Sequence, residues 1–432
     1  MKLNLLSVFL LAAACLLAPP PLRADWPAYR GPNSDGISTE TGIATKWPAA
    51  GPKKMWTTPT PLGFSSFTVA GGKAYTVVTR DFQGAPQETV VALNADTGKE
   101  LFSFAIGIAK YDGGGDSGTP TNKGGDGARS TPTLDGGKVY AISANLAVVC
   151  HDAATGKRIW ARNIKNEHAG VQIRWQSAAS PVIDGNLLFM AGGGPGQALL
   201  ALDKNTGKTV WKGQDDVMTH STPAVATILG VRQVIFFTKR GLVSVVPATG
   251  SVLWRYDFPW STSTAISPVV CGDIVYCSAG YGVGAGAVKL TKTGSAFTAT
   301  EIYRVSGTKP LANHWSTPVF NDGYLYGMFQ FKEYGSGALK CVEAATGKVI
   351  WEKEGFGPGN VTLVDGHLLA LSDDGQLVLV EATPKAYTEV ARAKVLSGKC
   401  WSTPIFSGGR VYARSTKEGI CLDLSSKLSA AK

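Results

Sequence analysis

The sequence predicts an all-β fold, an eight-bladed β-propeller of four-stranded antiparallel blades that is closed by its N-terminal strand. Three observations support this prediction. The composition is typical of β-proteins, two short signatures recur along most of the chain, and hairpin signals return at nearly regular intervals. Self-similarity at a period of roughly 40 to 50 residues is typical of propeller blades.

The composition favours strands and turns over helices. Of the 432 residues, 52 are Gly and 11 are Trp, and only 17% are Asp, Glu, Lys or Arg. Soluble domains usually contain roughly 25% charged residues. This composition argues against disorder, coiled coil and helical bundle, because exposed helix faces need Glu and Lys, whereas Val, Thr and aromatic residues favour strands.

The first 24 residues have the pattern of a secretory signal. Lys2 precedes an apolar run of about 16 residues, which is too short to span a bilayer comfortably, and Ala24 precedes a change to polar sequence. We therefore expect cleavage after Ala24 and a periplasmic or secreted protein without a transmembrane segment. Lipid attachment at Cys15 is the alternative. Cleavage removes Lys2 and Arg23 and no acidic residue, so the formal net charge falls from +10 to +8.

Two signatures recur in register. The first is a Ser-Thr-Pro or Ser-Pro entry, where Pro at the first position of a strand loses no ladder hydrogen bond. The second is a Thr-Gly turn, usually followed by Trp. Its Gly supplies the positive φ of a tight turn, and we expect the Trp to fill the wedge between blades. The entries begin at Ser130, Ser180, Ser221, Ser267, Ser316 and Ser402, and the turns begin at Thr97, Thr155, Thr206, Thr249 and Thr346, with a weaker copy at Thr293.

Hairpin signals lie between the two signatures and define eight units. Successive hairpins are 42 to 65 residues apart, which leaves room for about four short strands in each unit. The last unit lacks both a Thr-Gly turn and a Trp. Residues 54–57, which include Trp56, are similar to an outer strand, so we expect them to complete the last blade and close the ring. The hairpin glycines are Gly71, Gly136, Gly185, Gly230, Gly272, Gly323, Gly366 and Gly408.

The repeat resembles that of a known family. Residues 201–211, ALDKNTGKTVW, are similar to the tryptophan-docking repeat of pyrroloquinoline-quinone (PQQ) propellers, and residues 25–33, DWPAYRGPN, are similar to the start of many exported bacterial proteins of this family. The resemblance covers nearly all of residues 56–424. We divide the chain into a signal peptide at 1–24, an N-terminal extension at 25–55, the propeller at 56–425 and a C-terminal tail at 426–432.

Six cysteines follow the signal, and we expect all of them to be mainly packing residues. Cys150, Cys341 and Cys421 take the same repeat position as Ala92 and Ala201, a small-residue site on the third strand, so they lie in three different blades. The others are Cys271, Cys277 and Cys400.

The residues just before each inner strand should surround one mouth of the axial channel. Two Trp, an Arg and two His near this mouth are suited to hold a flat anionic ligand such as PQQ by stacking and ion pairing. The alternative is that the Trp side chains plug the channel and the polar residues bond to neighbouring loops. The predicted ring is Arg129, Ala179, His220, Ile266, Trp315 and Trp401, with Thr219, His314 and Cys400 one step back.

The two longest variable loops, residues 107–127 and 163–177, should lie on the same face as this ring. The second loop carries Lys165, Arg174 and Trp175. Together with Arg129 and Lys123, these side chains favour a basic, aromatic patch for an anionic partner. The alternative is that the charges belong to solvated loops.

The family resemblance implies one of two functions. Its quinoprotein dehydrogenases bind PQQ with Ca²⁺ on the axis, and its non-catalytic members include the propeller lipoprotein of the outer-membrane β-barrel assembly machinery. The catalytic branch implies a carboxylate base, Glu, Asn and Asp ligands for Ca²⁺ and an adjacent Cys pair, but this chain has no adjacent Cys pair and no acid in the predicted ring.

We therefore predict an exported non-catalytic scaffold that binds an envelope protein, or an anionic or glycan ligand, through its mouth-face loops. The alternatives are a PQQ-binding oxidoreductase that also binds calcium, and a glycan-binding propeller. We expect a monomer with no metal site, no cofactor and no nucleic-acid partner. The predicted ligand-binding residues are Arg129, Arg174, Trp175, His220, His314, Trp315 and Trp401.

Overall fold

The computed structural model confirms the all-β propeller with eight blades. It describes residues 25–111, 127–307, 310–332 and 336–426. The predicted signal peptide, Cys15, Lys123, most of the loop 107–127 and the end of the C-terminal tail lie outside the described residues. Within the described ranges, the one α-helix is the single turn α1 (Ile164–Glu167), and no helix is long and apolar enough to cross a membrane.

The described residues form thirty-three strands. Up to residue 245 they are β1 (Ile37–Ser38), β2 (Lys53–Pro59), β3 (Thr68–Ala70), β4 (Lys73–Phe82), β5 (Ala85–Asn94), β6 (Glu100–Ile108), β7 (Thr133–Asp135), β8 (Lys138–Ile142), β9 (Ala147–Asp152), β10 (Arg158–Asn163), β11 (Val182–Asp184), β12 (Leu187–Ala191), β13 (Leu199–Asp203), β14 (Thr209–Gly213), β15 (Ala224–Ile228), β16 (Val231–Thr238) and β17 (Gly241–Val245). The strands that follow are β18 (Val252–Asp257), β19 (Val269–Cys271), β20 (Ile274–Ala279), β21 (Gly284–Thr293), β22 (Ala296–Ser306), β23 (Val319–Asn321), β24 (Tyr324–Lys332), β25 (Ser336–Glu343), β26 (Val349–Lys353), β27 (Asn360–Val364), β28 (His367–Leu371), β29 (Gln376–Glu381), β30 (Glu389–Lys394), β31 (Ile405–Ser407), β32 (Arg410–Arg414) and β33 (Glu418–Asp423).

Each blade is an antiparallel sheet whose first strand is the innermost. Blades 1 to 7 each consist of four consecutive strands, from β3–β6 in blade 1 to β27–β30 in blade 7, and β31 to β33 form blade 8. Most neighbouring inner strands contact one another and so surround a central channel. We call the face on which the inner strands begin the mouth face.

The N-terminal strand closes the ring, as predicted. Strand β2 pairs antiparallel with β33 and supplies the outer strand of blade 8, with Trp56 opposite Cys421. The guanidinium of Arg414, which is fully buried, donates hydrogen bonds to the carbonyl oxygens of Thr60 and Val77 at 2.9 and 2.6 Å. The bond to Val77 joins blade 8 to blade 1, and the bond to Thr60 holds the chain where it leaves the closing strand β2.

The recurring aromatic residue docks on the Thr-Gly turn of the next blade. Trp160 of blade 2 donates its indole N–H to the Lys204 carbonyl of blade 3 at 2.9 Å. Gly207 there has φ +72°, and an added Cβ would lie 2.8 Å from the Trp160 ring. The turn therefore needs Gly for two reasons, a positive φ and the close approach of the indole. Glycines 98, 156, 250 and 347 repeat this contact with Trp56, Phe102, Trp211 and Tyr303.

The hydroxyl groups of the Ser-Thr-Pro entries form a belt between neighbouring blades. In each case a backbone N–H of one blade donates to a side-chain oxygen of the next blade. These residues therefore hold neighbouring blades together. The donor and acceptor pairs, at 2.9 to 3.1 Å, are Thr403–Ser66, Ser66–Thr131, Thr131–Ser180, Ser180–Thr222 and Ser267–Thr317.

Residues 25–43 enter the channel as a hairpin, which we call the channel hairpin. On the way in, Trp26 forms two backbone hydrogen bonds with Val69 of β3, at 2.8 and 2.9 Å, and the Leu134 amide of β7 donates to the Pro27 carbonyl. On the way out, β1 pairs in parallel with β27 of blade 7. The sequence pattern marked this segment as an extension that precedes the propeller, whereas in the structure it fills the channel.

Arg30 fixes the turn of the channel hairpin. Its side chain is buried, and its guanidinium donates at 2.9 Å to the carbonyl oxygens of Thr317 and Pro318 at the mouth end of blade 6. It also donates to the Asp35 carbonyl at 2.7 Å. The backbone of Arg30 is left-handed, with φ +63°. This turn places the preceding residue, Tyr29, against the cavity at the mouth.

All six predicted packing cysteines are buried, and none forms a disulfide. Cys150, Cys341 and Cys421 lie opposite Trp160, Trp351 and Trp56 in the ladders between third and fourth strands. Each thiol thus occupies the small-residue site against which the docking ring packs. The interpretation of these residues as packing residues is confirmed.

Candidate functional site

A cavity of about 140 Å³ opens at the centre of the mouth face. The channel hairpin reaches it from below through Tyr29, so the cavity is a pocket at the mouth of the channel. Six of the seven predicted ligand-binding residues surround or adjoin this space: Arg129, Trp175, His220, His314, Trp315 and Trp401.

The register of the predicted ring is wrong by one residue in two blades. The belt hydrogen bonds align Ser180 and Ser267 with the Thr of the other entries, not with the Ser. The residues that face the pocket are therefore Ala178 and Ala265 rather than Ala179 and Ile266. Along an extended segment, a shift of one residue turns a side chain to the opposite face.

Arg174, the seventh predicted residue, lies outside the pocket. Its side chain is exposed, and its guanidinium sits 4.8 Å from the ring centre of Trp175. Its carbonyl oxygen accepts a hydrogen bond from His220 Nε2 at 2.9 Å. Thr219 and Cys400, which were predicted one residue before members of the ring, are buried and do not line the cavity.

The prediction missed several lining residues. Phe64 has the same offset from Ser66 as Trp401 has from Thr403, so an alignment on the belt residue would have found it. Tyr281 comes from the mouth-face turn between β20 and β21, and Tyr29 comes from the channel hairpin. Neither of these two belongs to a repeat signature, so the sequence contains no periodic signal for them.

Aromatic rings form an arc along the pocket wall. The ring centres of Trp315 and Trp401 are 4.4 Å apart, and Phe64 stacks on Trp401 at 4.9 Å. On the other side, Trp175 stacks on Tyr281 at 6.1 Å. Such offset stacks add to the free energy of burial. In order, the arc runs Phe64, Trp401, Trp315, His314, Tyr281, Trp175 and His220.

Left-handed backbone holds part of this arc in place. Trp175, Gln176 and Tyr281 have φ values of +64°, +57° and +56°. A residue with a Cβ pays roughly 1–2 kcal/mol for this conformation. Strain of this kind at several residues beside one pocket is typical of functional sites.

Both histidines of the pocket are neutral near pH 7. Burial lowers the pKa of His220 to about 4 and that of His314 to about 3. His220 donates from Nε2 to the Arg174 carbonyl, and its Nδ1 therefore accepts from the Ser263 hydroxyl at 2.9 Å. The positive charge inside the pocket accordingly comes from Arg129.

Arg129 connects the pocket to a buried carboxyl group. Its guanidinium lies 4.9 Å from the ring centre of Tyr111, whose hydroxyl donates to Glu88 at 2.6 Å. Glu88 also accepts from the Ala144 amide at 2.8 Å. Burial raises the pKa of Glu88 to about 7, against the opposing effects of these two hydrogen bonds and of Arg129.

The pocket does not fit a quinone held by Ca²⁺. Ca²⁺ in proteins takes six to eight oxygen ligands, usually including carboxylates. Among the described residues, the lining contains no Asp or Glu, and no group of three His, Cys, Asp or Glu side chains is placed to hold a metal ion. Asn360, the lining amide, donates its Nδ2 to the Trp401 carbonyl at 2.6 Å. We therefore assign no catalytic step to this pocket.

Comparisons with known proteins match most of the chain to one protein family. The model of a protein family described as outer membrane protein assembly factor BamB matches residues 86–327 and 335–427. A curated relative, the outer membrane protein assembly factor BamB of Shewanella oneidensis, is 26% identical over 259 residues. That match covers 57% of this chain and 62% of the relative, so it spans less than two thirds of the relative's own length.

Solved structures share the fold at low sequence identity. BamB from Moraxella catarrhalis superposes with a TM-score of 0.60 at 14% identity, over 86% of this chain and 97% of that one. The quinohemoprotein alcohol dehydrogenase from Comamonas testosteroni gives 0.66 at 13% identity, over 93% and 81%. Because an assembly factor and a dehydrogenase both have this fold, the fold alone does not decide the function.

Proposed function

Because the chain belongs to the family of outer membrane protein assembly factor BamB, we propose that it is a non-catalytic scaffold in the assembly of the bacterial outer membrane. In this proposal the mature protein lies in the periplasm, delivered by the signal at 1–24, with lipid attachment at Cys15 as the alternative. It binds a protein partner through its mouth face. The family match over residues 86–327 and 335–427 is the observation that carries the proposal.

The chemistry of the mouth supports binding over catalysis. The described lining residues include no carboxylate, and both histidines are held neutral by burial. A general base needs a pKa near the operating pH and access to the substrate. Glu88, whose pKa burial raises to about 7, is 2% exposed and already accepts two hydrogen bonds behind the pocket.

Depletion in the native host tests the proposal. We expect loss of the protein to lower the amount of folded β-barrel proteins in the outer membrane, measured by their heat-modifiable migration on gels. Restoring the wild-type chain should restore their amount. A variant that carries both Trp315→Ala and Trp401→Ala, and that is exported normally, should restore the amount of folded β-barrel proteins only in part. Unchanged β-barrel levels after complete depletion would contradict an assembly role.

The quinone alternative has its own test. We expect no saturable binding of PQQ to the mature protein, with or without Ca²⁺, in a fluorescence titration of the pocket tryptophans. The absence of a carboxylate in the described lining is the physical reason. Saturable binding that is lost in Arg129→Ala would replace the scaffold proposal with a quinone-binding protein.

A further inference from the structure

The mouth face combines an aromatic pocket with a rim of basic side chains. We propose that the pocket receives an aromatic side chain from an acidic segment of the partner protein, whose carboxylates contact the rim. This inference rests on the proposed function only in that the partner is a protein bound at this face. It specifies the chemistry of the segment that is recognised.

The pocket has the shape and polarity that suit an aromatic side chain. The wall is the aromatic arc, and Tyr29 of the channel hairpin lies at its inner end. A ring inserted here contacts indole faces, and an aromatic anchor in a pocket is the usual centre of a protein interface. Arg129 adds one guanidinium to this aromatic wall, which favours an anchor that has an acidic neighbour.

Three basic side chains on the rim each lie over an indole ring. The charged groups of Arg174, Lys239 and Lys399 are 4.8, 4.1 and 5.1 Å from the ring centres of Trp175, Trp260 and Trp401. Cation–π contacts keep such cations ordered at the surface. Ordered positive charges around a pocket are complementary to an acidic segment, and they raise its rate of association.

Arg240 extends this basic rim. It follows Lys239 in the mouth-face turn between β16 and β17, and its side chain is 69% exposed. Its Nε lies 3.9 Å from the carboxylate of buried Asp216, which Arg255 binds more closely at 3.1 Å. Trp260, beneath Lys239, is itself 38% exposed, a large value for an indole. The rim thus offers both charge and apolar area next to the pocket, as the edge of a protein interface does.

A glycan is less well matched to the same pocket. Sugar recognition needs several side chains that exchange hydrogen bonds with hydroxyl groups. The hydroxyl oxygens of Ser66, Ser180 and Thr222 accept the belt hydrogen bonds between blades, and Ser263 bonds to His220. These lining groups serve the ring itself, so the arc offers stacking with few polar contacts.

Synthetic peptides test the inference on the purified mature protein. The probe is a fluorescently labelled nonapeptide with a central Trp between Asp and Glu residues, and binding is followed by anisotropy. The matched peptides replace the central Trp by Ala, or every acidic residue by Lys. We expect at least about a tenfold loss of affinity for each replacement, and weaker binding of the acidic peptide as salt is raised.

Two kinds of variant locate the binding. Trp315→Ala should reduce affinity for the acidic Trp peptide and should leave little difference between the Trp and Ala peptides. Because truncation of a pocket Trp also loosens packing, Arg174→Glu provides a second test at an exposed rim position and leaves the pocket wall intact. Lys157→Glu, on an exposed turn of the opposite face, is the charge-matched control and should bind as the wild type does.

Three results would overturn the inference. They are equal affinity for the acidic and basic peptides, undiminished binding in both variants, and saturable binding of an oligosaccharide with no binding of any peptide. These measurements use no envelope assay. A host that needs the protein for β-barrel assembly while no peptide binds would leave the proposed function standing and reject this inference.

Discussion

Glu88 is a buried carboxyl group whose titration affects stability near neutral pH. Burial raises its pKa from 4.5 to about 7, so the folded protein holds the proton more tightly than the unfolded chain. Below pH 4.5 the carboxyl is neutral in both states. As the pH rises through 7, the folded state must bury a charge, and stability is lost. One pKa unit corresponds to about 1.4 kcal/mol, so the rise from 4.5 to about 7 limits the whole loss to about 3.5 kcal/mol.

Glu88→Gln should remove this pH dependence. The amide keeps the shape of the carboxyl, with its oxygen accepting from Ala144 and its nitrogen donating to the Tyr111 hydroxyl. We expect the variant to gain on the wild type by about 1–3 kcal/mol between pH 5 and pH 8, measured by urea unfolding at both values. Glu354→Gln, at an exposed position, is the control and should show no such gain. Parallel wild-type and Glu88→Gln profiles would refute the assignment.

Single positions also show where sequence reasoning reaches its limit. Alignment of the entries at Ser180 and Ser267 by residue type places Ala179 and Ile266 in the ring, one residue away from the side chains that line the pocket. Only the hydrogen bond between blades shows that these two serines replace Thr. The identity of a belt residue depends on its partner in another blade, and a single sequence does not contain that pairing. The other four ring residues line the pocket as predicted, because each directly precedes a complete Ser-Thr-Pro entry: Arg129, His220, Trp315 and Trp401.

At the scale of single elements, two kinds of turn need glycine for different reasons. The Thr-Gly turn needs both a positive φ and space for the docked ring, whereas the hairpin turn needs only the positive φ. Gly207 has φ +72° and no room for a Cβ beside Trp160, whereas Gly272, in the hairpin of blade 5, has φ +70° and nothing within 4 Å. We expect Gly272→Ala to cost about 1 kcal/mol for the φ alone. Gly207→Ala should cost about 3 kcal/mol, because the docked indole must also shift. Thermal and urea unfolding of the pair measure the difference, and equal losses would show that docking tolerates the methyl group.

The channel hairpin is the element that the sequence did not predict. Its contacts are backbone bonds to inner strands from several blades and the bonds from Arg30 to carbonyl oxygens. Carbonyl acceptors have no side-chain signature, so no motif in blade 6 marks the site that receives Arg30. The tandem repeats, in contrast, predict the blades because each one reproduces the same local pattern.

Arg30→Met should loosen this hairpin and leave the ring folded. Four backbone carbonyls lose a donor, at about 1 kcal/mol each. We expect the Leu134 and Leu363 amides, which donate to Pro27 and Gly36 of the hairpin, to exchange hydrogen at least about tenfold faster. The Lys204 amide, bonded to Asn186 within blade 3, is the control and should exchange as before. Unchanged protection at Leu134 and Leu363 would show that Arg30 does not hold the hairpin.

For the whole molecule, the repeats were sufficient to predict a closed ring. Eight hairpin signals give eight blades, and the incomplete last unit indicates that an N-terminal strand completes it. Composition and spacing predict architecture well because a propeller repeats one packing solution eight times. The ligand is not predicted in the same way, since the pocket is built from the residues in which the repeats differ.

Ring closure also predicts how the protein associates when it is shortened. A chain that begins at residue 52 lacks the channel hairpin but keeps β2, whereas a chain that begins at residue 60 lacks both. Loss of β2 exposes the ladder edge of β33 and the site that holds Trp56, which is 6% exposed in the intact ring. Unpaired edges of this kind recruit strands from other molecules.

We expect the chain that begins at residue 52 to remain monomeric. The chain that begins at residue 60 should form oligomers, and the oligomeric fraction should rise with protein concentration. Light scattering after size-exclusion chromatography, repeated over a range of concentrations, measures the difference. A synthetic peptide of residues 53–59 should return the shorter chain to a monomer, because it restores the antiparallel pairing with β33. If both chains are monomeric at every concentration, the outer strand is not what protects this edge.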